Sequence, residues 1–313
     1  MTRAPFFDDI ANGPAGGEAH WLTTADGLKI RAAHWVARGE TLKGTILLFP
    51  GRTEYIEKYG PAAAEFLARG YAMVAIDWRG QGIADRTTNN PLLGDVVDFK
   101  DYQHDVAALL AHVETLDLPK PYFLVAHSMG GCIGLRAIYE GLPVTAAAFS
   151  APMWGIYMAA PMRPFAWGIT HLAKMTGFDK TLSPGQSRQS YVNRVKFADN
   201  TLSSDREEFD FMRNQIAAHP ELELGGPSLR WLGQALREMR HLSTIPSPKM
   251  PCVTFLGSDE EIVDSRAIHT RMAKWGNGSL QLLKDARHEV MMETPAMRKQ
   301  VFDAATALFD QHS

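Results

Sequence analysis

The sequence predicts an α/β protein, a mostly parallel sheet covered by helices on both faces, with a helical segment inserted into it. Three observations predict this. Short apolar runs alternate with stretches of helical period along most of the 313 residues. The alternation lapses between about Pro152 and Pro248 and resumes at Cys252. A serine, Ser128, stands among small residues where an apolar run passes into a helical one.

The elements follow in order. The run HWLTTADGLKIRAAHWV alternates around an Asp26-Gly27 turn and reads as a hairpin. TILLF, YAMVAI, YFLVA, AAAFS, CVTFLG and LQLL are apolar almost throughout, as strands covered on both faces must be. Between them, Pro61 to Arg69 reads as a helix ending at Gly70, and Tyr102 to Leu116 carries Val106, Leu109, Leu110 and Val113 at helical spacing. Thr294-Pro295 marks the start of a last helix.

The middle segment holds Trp154, Trp167 and Trp231, a helix start at Ser204 with Glu207 three places on, and the amphipathic run SLRWLGQALREMRHL. Because the strand pattern resumes afterwards, residues 152–248 are expected to form a cap over one end of a core made of residues 1–151 and 249–313.

Composition excludes several classes of function. With 45% apolar and 21% charged residues and a net charge of -3, the chain lacks the basic surplus that nucleic acid binding requires. Cys132 and Cys252 make neither a disulfide framework nor a zinc C-x-x-C pair, which fits a reducing cytoplasm. The opening MTRAPFFDDIANG has no apolar core of a secretory signal. AAAFSAPMWGIYMAAPM is broken by Pro152 and Pro161, so it is not expected to span a membrane, although the cap remains a candidate for peripheral lipid contact.

FLVAHSMGGCIG carries the chemistry. It departs from the pattern G-x-S-x-G only in having Ala126 at the first glycine, and a turn this tight demands small neighbours, a demand Ala meets. Gly130 and Gly131, unfavourable early in a helix, point to close backbone approach. A nucleophilic serine needs a base, and in such folds the chain order is Ser, acid, His. His288, in the loop KDARHEV after the last strand, is placed to serve. HEVMM opens like a zinc motif but has Met292 in place of the second histidine, so no metal is expected. Asp259, Glu260, Glu261 and Asp264 compete for the acid. Asp77 and Arg79 in DWRGQGIADR are read as parts of a tight structural turn, and no phosphate-binding loop is present.

Taken together, AHSMGG, DWRGQGIADR, LFPGRTEYIEKYG and GSDEEIVDS resemble the α/β-hydrolase branch of monoacylglycerol lipases and bacterial lysophospholipases, from about Trp21 to the last helix and least across the cap. The resemblance implies an acid three residues after the strand-end Gly257 and four before Asp264, which selects Glu260. It also implies oxyanion donors at the N–H groups of Met129 and Arg52. The chain departs from the family in Glu260 for Asp, Pro50-Gly51 for His-Gly and Ala126 for Gly, none of which removes the chemistry.

The expected reaction is ester hydrolysis through an acyl-enzyme on Ser128, with His288 as base and Glu260 steadying the imidazolium, and with no cofactor. A Met-, Trp- and Phe-rich cap suits a single acyl chain, so the resemblance implies lysophospholipids or monoacylglycerols. One alternative is an aminopeptidase-like hydrolase that holds a substrate ammonium with Glu207, Glu208, Asp210, Glu221 or Glu223. Another is a hydrolase-like binding protein without turnover.

Overall fold

A computed structural model describes residues 2–37, 39, 41–159 and 161–313. Its strands are β1 (Thr2–Arg3), β2 (Glu18–Thr23), β3 (Lys29–Trp35), β4 (Gly44–Phe49), β5 (Tyr71–Asp77), β6 (Tyr122–His127), β7 (Val144–Ser150), β8 (Cys252–Gly257) and β9 (Gly278–Leu283). They form one sheet in the order β1-β2-β3-β5-β4-β6-β7-β8-β9. From β5 to β9 the pairs are parallel, and the first three strands join antiparallel at one edge.

The helices are α1 (Asp8–Ala11), α2 (Gly60–Ala68), α3 (Tyr102–Thr115), α4 (Met129–Tyr139), α5 (Met162–Thr176), α6 (Tyr191–Arg194), α7 (Arg206–Ala218), α8 (Leu229–Ser243), α9 (Ser265–Met272) and α10 (Pro295–Asp310). Alternate strand residues feed two cores. Leu47, Phe49, Leu124 and Ala126 join the core beneath α3, α4 and α9, while Ile46, Leu48, Phe123 and Val125 join the one beneath α2 and α10. The apolar runs TILLF, YAMVAI, YFLVA, AAAFS and CVTFLG are buried strands, whereas LQLL forms the edge strand β9, of which only Leu283 is buried, and the hairpin turns at Gly27 with φ 88°.

Three local details differ from the sequence expectation. The two-residue strand β1 pairs with β2, too short to leave a periodic signal. The helix expected over Pro61 to Arg69 spans Gly60–Ala68, with Gly70 beyond it at φ 87°. The cap of α7 is Asp205, which accepts from the amides of Glu207 and Glu208. Ser204 instead turns toward Glu293, donating to it from both its hydroxyl and its amide, so a tertiary partner takes the residue the local pattern favoured.

Between β7 and β8 lie α5 to α8. The amphipathic run becomes α8, started by Ser228, whose hydroxyl accepts from the Trp231 amide at 2.9 Å. Asp95, in the loop between β5 and α3, accepts from the Ser228 hydroxyl at 2.6 Å and from Arg230, tying this helix start to that loop.

Candidate active site

β6 delivers Ser128 into the first turn of α4 with φ 48° and ψ −116°, a conformation that costs a non-glycine residue of order 1–3 kcal/mol. Small neighbours make it possible. A Cβ on Gly130 would fall 2.1 Å from the Phe49 carbonyl oxygen, and one on Gly131 would fall 2.5 Å from the Pro152 side chain. Ala126 faces Gly134, where a Cβ would stand 3.4 Å from that of Ala126, so the extra methyl is absorbed by a glycine opposite.

His288 Nε2 lies 2.9 Å from Ser128 Oγ, and its Nδ1 lies 2.7 Å from Glu260 Oε2. The other oxygen, Glu260 Oε1, accepts from the amides of Ile262 at 2.6 Å and Val263 at 2.9 Å. Burial alone would raise the Glu260 carboxyl, but His288 and these two amides outweigh it and hold the group below its ordinary range. Of the competing acids, Asp259 is exposed and accepts from Ser258 Oγ, Glu261 is exposed, and Asp264 caps α9 and pairs with Arg163.

The loop after β4 carries Arg52, and Met129 is the first residue of α4, so the Met129 amide has no partner within its own helix. Sequence reasoning missed what holds this loop. Trp78 Nε1 donates to the Pro50 carbonyl at 2.9 Å, and Gln81 donates to the Gly51 carbonyl at 2.9 Å while accepting from the Thr53 amide at 3.0 Å. DWRGQGIADR is thus the structural turn expected, with Asp77 accepting from Arg31 and Arg79 pairing with Asp105 and Asp26, yet its Gln81 braces the loop beside Ser128. Only the position of Gln81 between two glycines hinted at this.

Behind His288 lies a buried polar cluster that the sequence did not announce. Lys58 Nζ donates to Glu54 at 2.5 Å and to Glu289 at 2.8 Å, and Glu54 accepts from the Gly51 amide and from the Tyr59 hydroxyl. His127 Nδ1 faces Ser150 Oγ at 2.9 Å, and its Nε2 stands 3.2 Å from Glu289. Burial works against the Glu289 carboxylate, but His127 and Lys58 outweigh it and hold the group well below its ordinary range.

Ser128 and His288 open onto a cavity of about 510 Å³. Its walls are largely apolar and come mostly from the residues between β7 and β8, among them Met158, Phe165, Ile169, Met212 and Trp231. Glu207, Glu208, Asp210, Glu221 and Glu223 do not line it. Arg52 does. Its guanidinium donates to the Gly225 carbonyl at 2.9 Å and lies over the Trp231 ring, with no carboxylate partner among the described residues. Burial pushes it down to about 10, so it remains a cation at neutral pH. Tyr157, Met162 and Phe165 line the cavity and are also exposed, so its mouth is apolar. Among the described residues no helix is long and apolar enough to cross a membrane.

Residues 40–295 match the family described as serine aminopeptidase, S33. The chain is 25% identical over 99% of its length to a probable lysophospholipase L2 of Haemophilus influenzae, covering 95% of that protein. It is 27% identical over 93% of its length to lysophospholipase L2 of Escherichia coli, covering 87% of that protein. A monoglyceride lipase of Saccharomyces cerevisiae, solved with a substrate analog, superposes with a TM-score of 0.72 at 22% identity, over 93% of this chain and 94% of that one.

Proposed function

This chain belongs to the serine aminopeptidase, S33, family, has the α/β-hydrolase fold and is a carboxylic ester hydrolase, and from that premise we propose that it cleaves the acyl ester of single-chain lipids through an acyl-enzyme on Ser128. The observation that carries this reading is the hydrogen-bonded series Glu260, His288, Ser128 at the wall of an apolar cavity. His288 takes the Ser128 proton as Oγ attacks the ester carbonyl, and Glu260 stabilises the imidazolium that forms. The Met129 and Arg52 amides donate to the oxyanion. As the tetrahedral intermediate collapses, His288 returns the proton to the departing alcohol, then activates water to release the fatty acid and regenerate Ser128. The steps call on no cofactor.

The inserted segment, residues 152–248, acts as the cap that shelters the acyl chain. Phe165, Leu172, Met175 and Phe178, exposed on and just beyond α5, would rest at a lipid surface from which the substrate enters. Of the two single-chain esters, lysophospholipid is favoured over monoacylglycerol, because the unpaired Arg52 cation suits a phosphodiester and a neutral glycerol leaves it without a counter-charge. An aminopeptidase would need a carboxylate free to hold the substrate ammonium. The two carboxylates beside the site, Glu54 and Glu289, are already engaged by Lys58.

The test is a hydrolysis panel of p-nitrophenyl esters of rising chain length, monoacylglycerol, lysophosphatidylcholine and an aminoacyl amide. The expected order puts lysophosphatidylcholine first by kcat/KM. Preference for the amide overturns the reading, and ligand binding without turnover of any substrate returns the chain to a binding role.

A further inference from the structure

A second cluster lies away from the cavity, where α3 crosses the antiparallel edge of the sheet. His20 on β2 and His34 on β3 occupy diagonal positions of one face, since His20 pairs with Ala32 and His34 with Glu18. His112, in the last turn of α3, completes the group. The His20 and His34 rings stack with centroids 5.5 Å apart, and the His112 ring lies 5.2 Å from that of His20.

One ring nitrogen from each histidine lies within 4.8 Å of the other two. Each ring also holds a buried nitrogen without a hydrogen-bond partner, Nδ1 in His20 and His34 and Nε2 in His112. His20 is 8% exposed and His112 only 4%. Three neighbouring histidines that each carry such a nitrogen are unusual, because buried polar atoms are nearly always partnered.

We propose that His20, His34 and His112 bind one divalent transition-metal ion of the zinc class. Imidazole is a preferred donor for zinc, and two nitrogens about 2.0–2.1 Å from a tetrahedral zinc stand roughly 3.4 Å apart, a separation that lies inside the 4.8 Å within which the three nitrogens are grouped. Burial, the largest influence on each ring, depresses all three histidines, His112 to about 4, so they are neutral at neutral pH, the form that binds metal. Water takes the fourth position. The ion would fasten α3 to the β2–β3 hairpin and so act on stability.

The described residues hold one other group of this kind, Glu54, His127 and Glu289, but the Lys58 ammonium already bonds to both of its carboxylates. A cation therefore already occupies that place.

The full chain, stripped with EDTA, is titrated with zinc chloride by calorimetry and with cobalt(II) by visible absorption. One equivalent of zinc is expected to bind and to raise the Tm, and cobalt(II) added to the stripped chain is expected to give a tetrahedral spectrum that zinc then bleaches. His34→Ala and His112→Gln should each weaken binding beyond the roughly 10–100-fold typical of an outer-shell change and abolish the Tm shift. His34 is only half-buried, so its variant decides the matter if His112→Gln does not fold. Ester hydrolysis by His34→Ala should match the parent, since none of the three lines the cavity. Failure of the parent to bind, or binding that survives His34→Ala, overturns the assignment.

Discussion

Glu260 reaches His288 Nδ1 at 2.7 Å with one carboxylate oxygen while the backbone amides of Ile262 and Val263 hold the other. The longer side chain of Glu is thus anchored at both oxygens, and its neighbour Asp259 faces solvent with Ser258. Glu260→Gln should lower kcat by on the order of 10³ to 10⁴, because a neutral amide does not stabilise imidazolium and favours the wrong tautomer. Asp259→Asn should change it little. Measuring kcat for the two variants side by side decides the acid, and a larger loss in Asp259→Asn would transfer the role.

Ser128→Ala and His288→Ala should each lower kcat by roughly 10⁴ to 10⁶, with the double variant no worse than either single one, since the residues act as a unit. Circular dichroism should show the fold unchanged. Activity within tenfold of the parent in either variant would remove that residue from the mechanism.

Ala126→Gly should preserve turnover, whereas Ala126→Leu should abolish it. The added atoms would meet α4 at Gly134, where a lone Cβ would already stand 3.4 Å from that of Ala126. Overpacking of this kind typically costs about 1–3 kcal/mol and shifts backbone, here under Ser128. Full activity in the Leu variant contradicts the elbow.

Arg52→Ala leaves the backbone amide in place and removes the guanidinium beside Trp231. KM for lysophosphatidylcholine should rise roughly tenfold to a hundredfold, the equivalent of about 1.5–3 kcal/mol for a hydrogen bond to a charged group. Turnover of monoacylglycerol should be untouched. An equal loss on both substrates would mean that Arg52 serves the loop and not the headgroup.

Asp95→Asn should destabilise the protein by about 1.5–3 kcal/mol, since Asp95 bonds Ser228, Arg230 and Thr87 at the start of α8. Burial by itself would raise the Asp95 carboxyl, but those bonds outweigh it and hold the group below its ordinary 3.8. A folded value below the unfolded one means that the charge stabilises fully above about pH 4 and loses its effect as pH falls through the folded value. Urea unfolding of parent and variant from pH 3 to pH 8 should show a constant gap that closes only at the acid end.

The strands from β2 to β9, the helices over Gly60–Ala68 and Tyr102–Thr115, and the Ser128 turn were legible because each rests on neighbours in sequence: apolar runs, a terminal glycine, small residues around a serine. His288 was legible through its loop. The choice among Asp259, Glu260, Glu261 and Asp264 was open to the residues alone and narrowed only by resemblance, because which carboxylate reaches an imidazole depends on where β8 and β9 end relative to β6. The same is true of every group whose partners are remote in the chain. Ser204 left its local capping role for Glu293, Gln81 came to brace the loop of Gly51, and Lys58 found Glu289 across 231 positions. His20, His34 and His112 look like three unrelated residues until a hairpin and a helix bring them together. Local propensity and periodicity are written residue by residue. A hydrogen bond or ligand set between distant segments exists only once packing has brought them into reach, so it belongs to the tertiary structure alone.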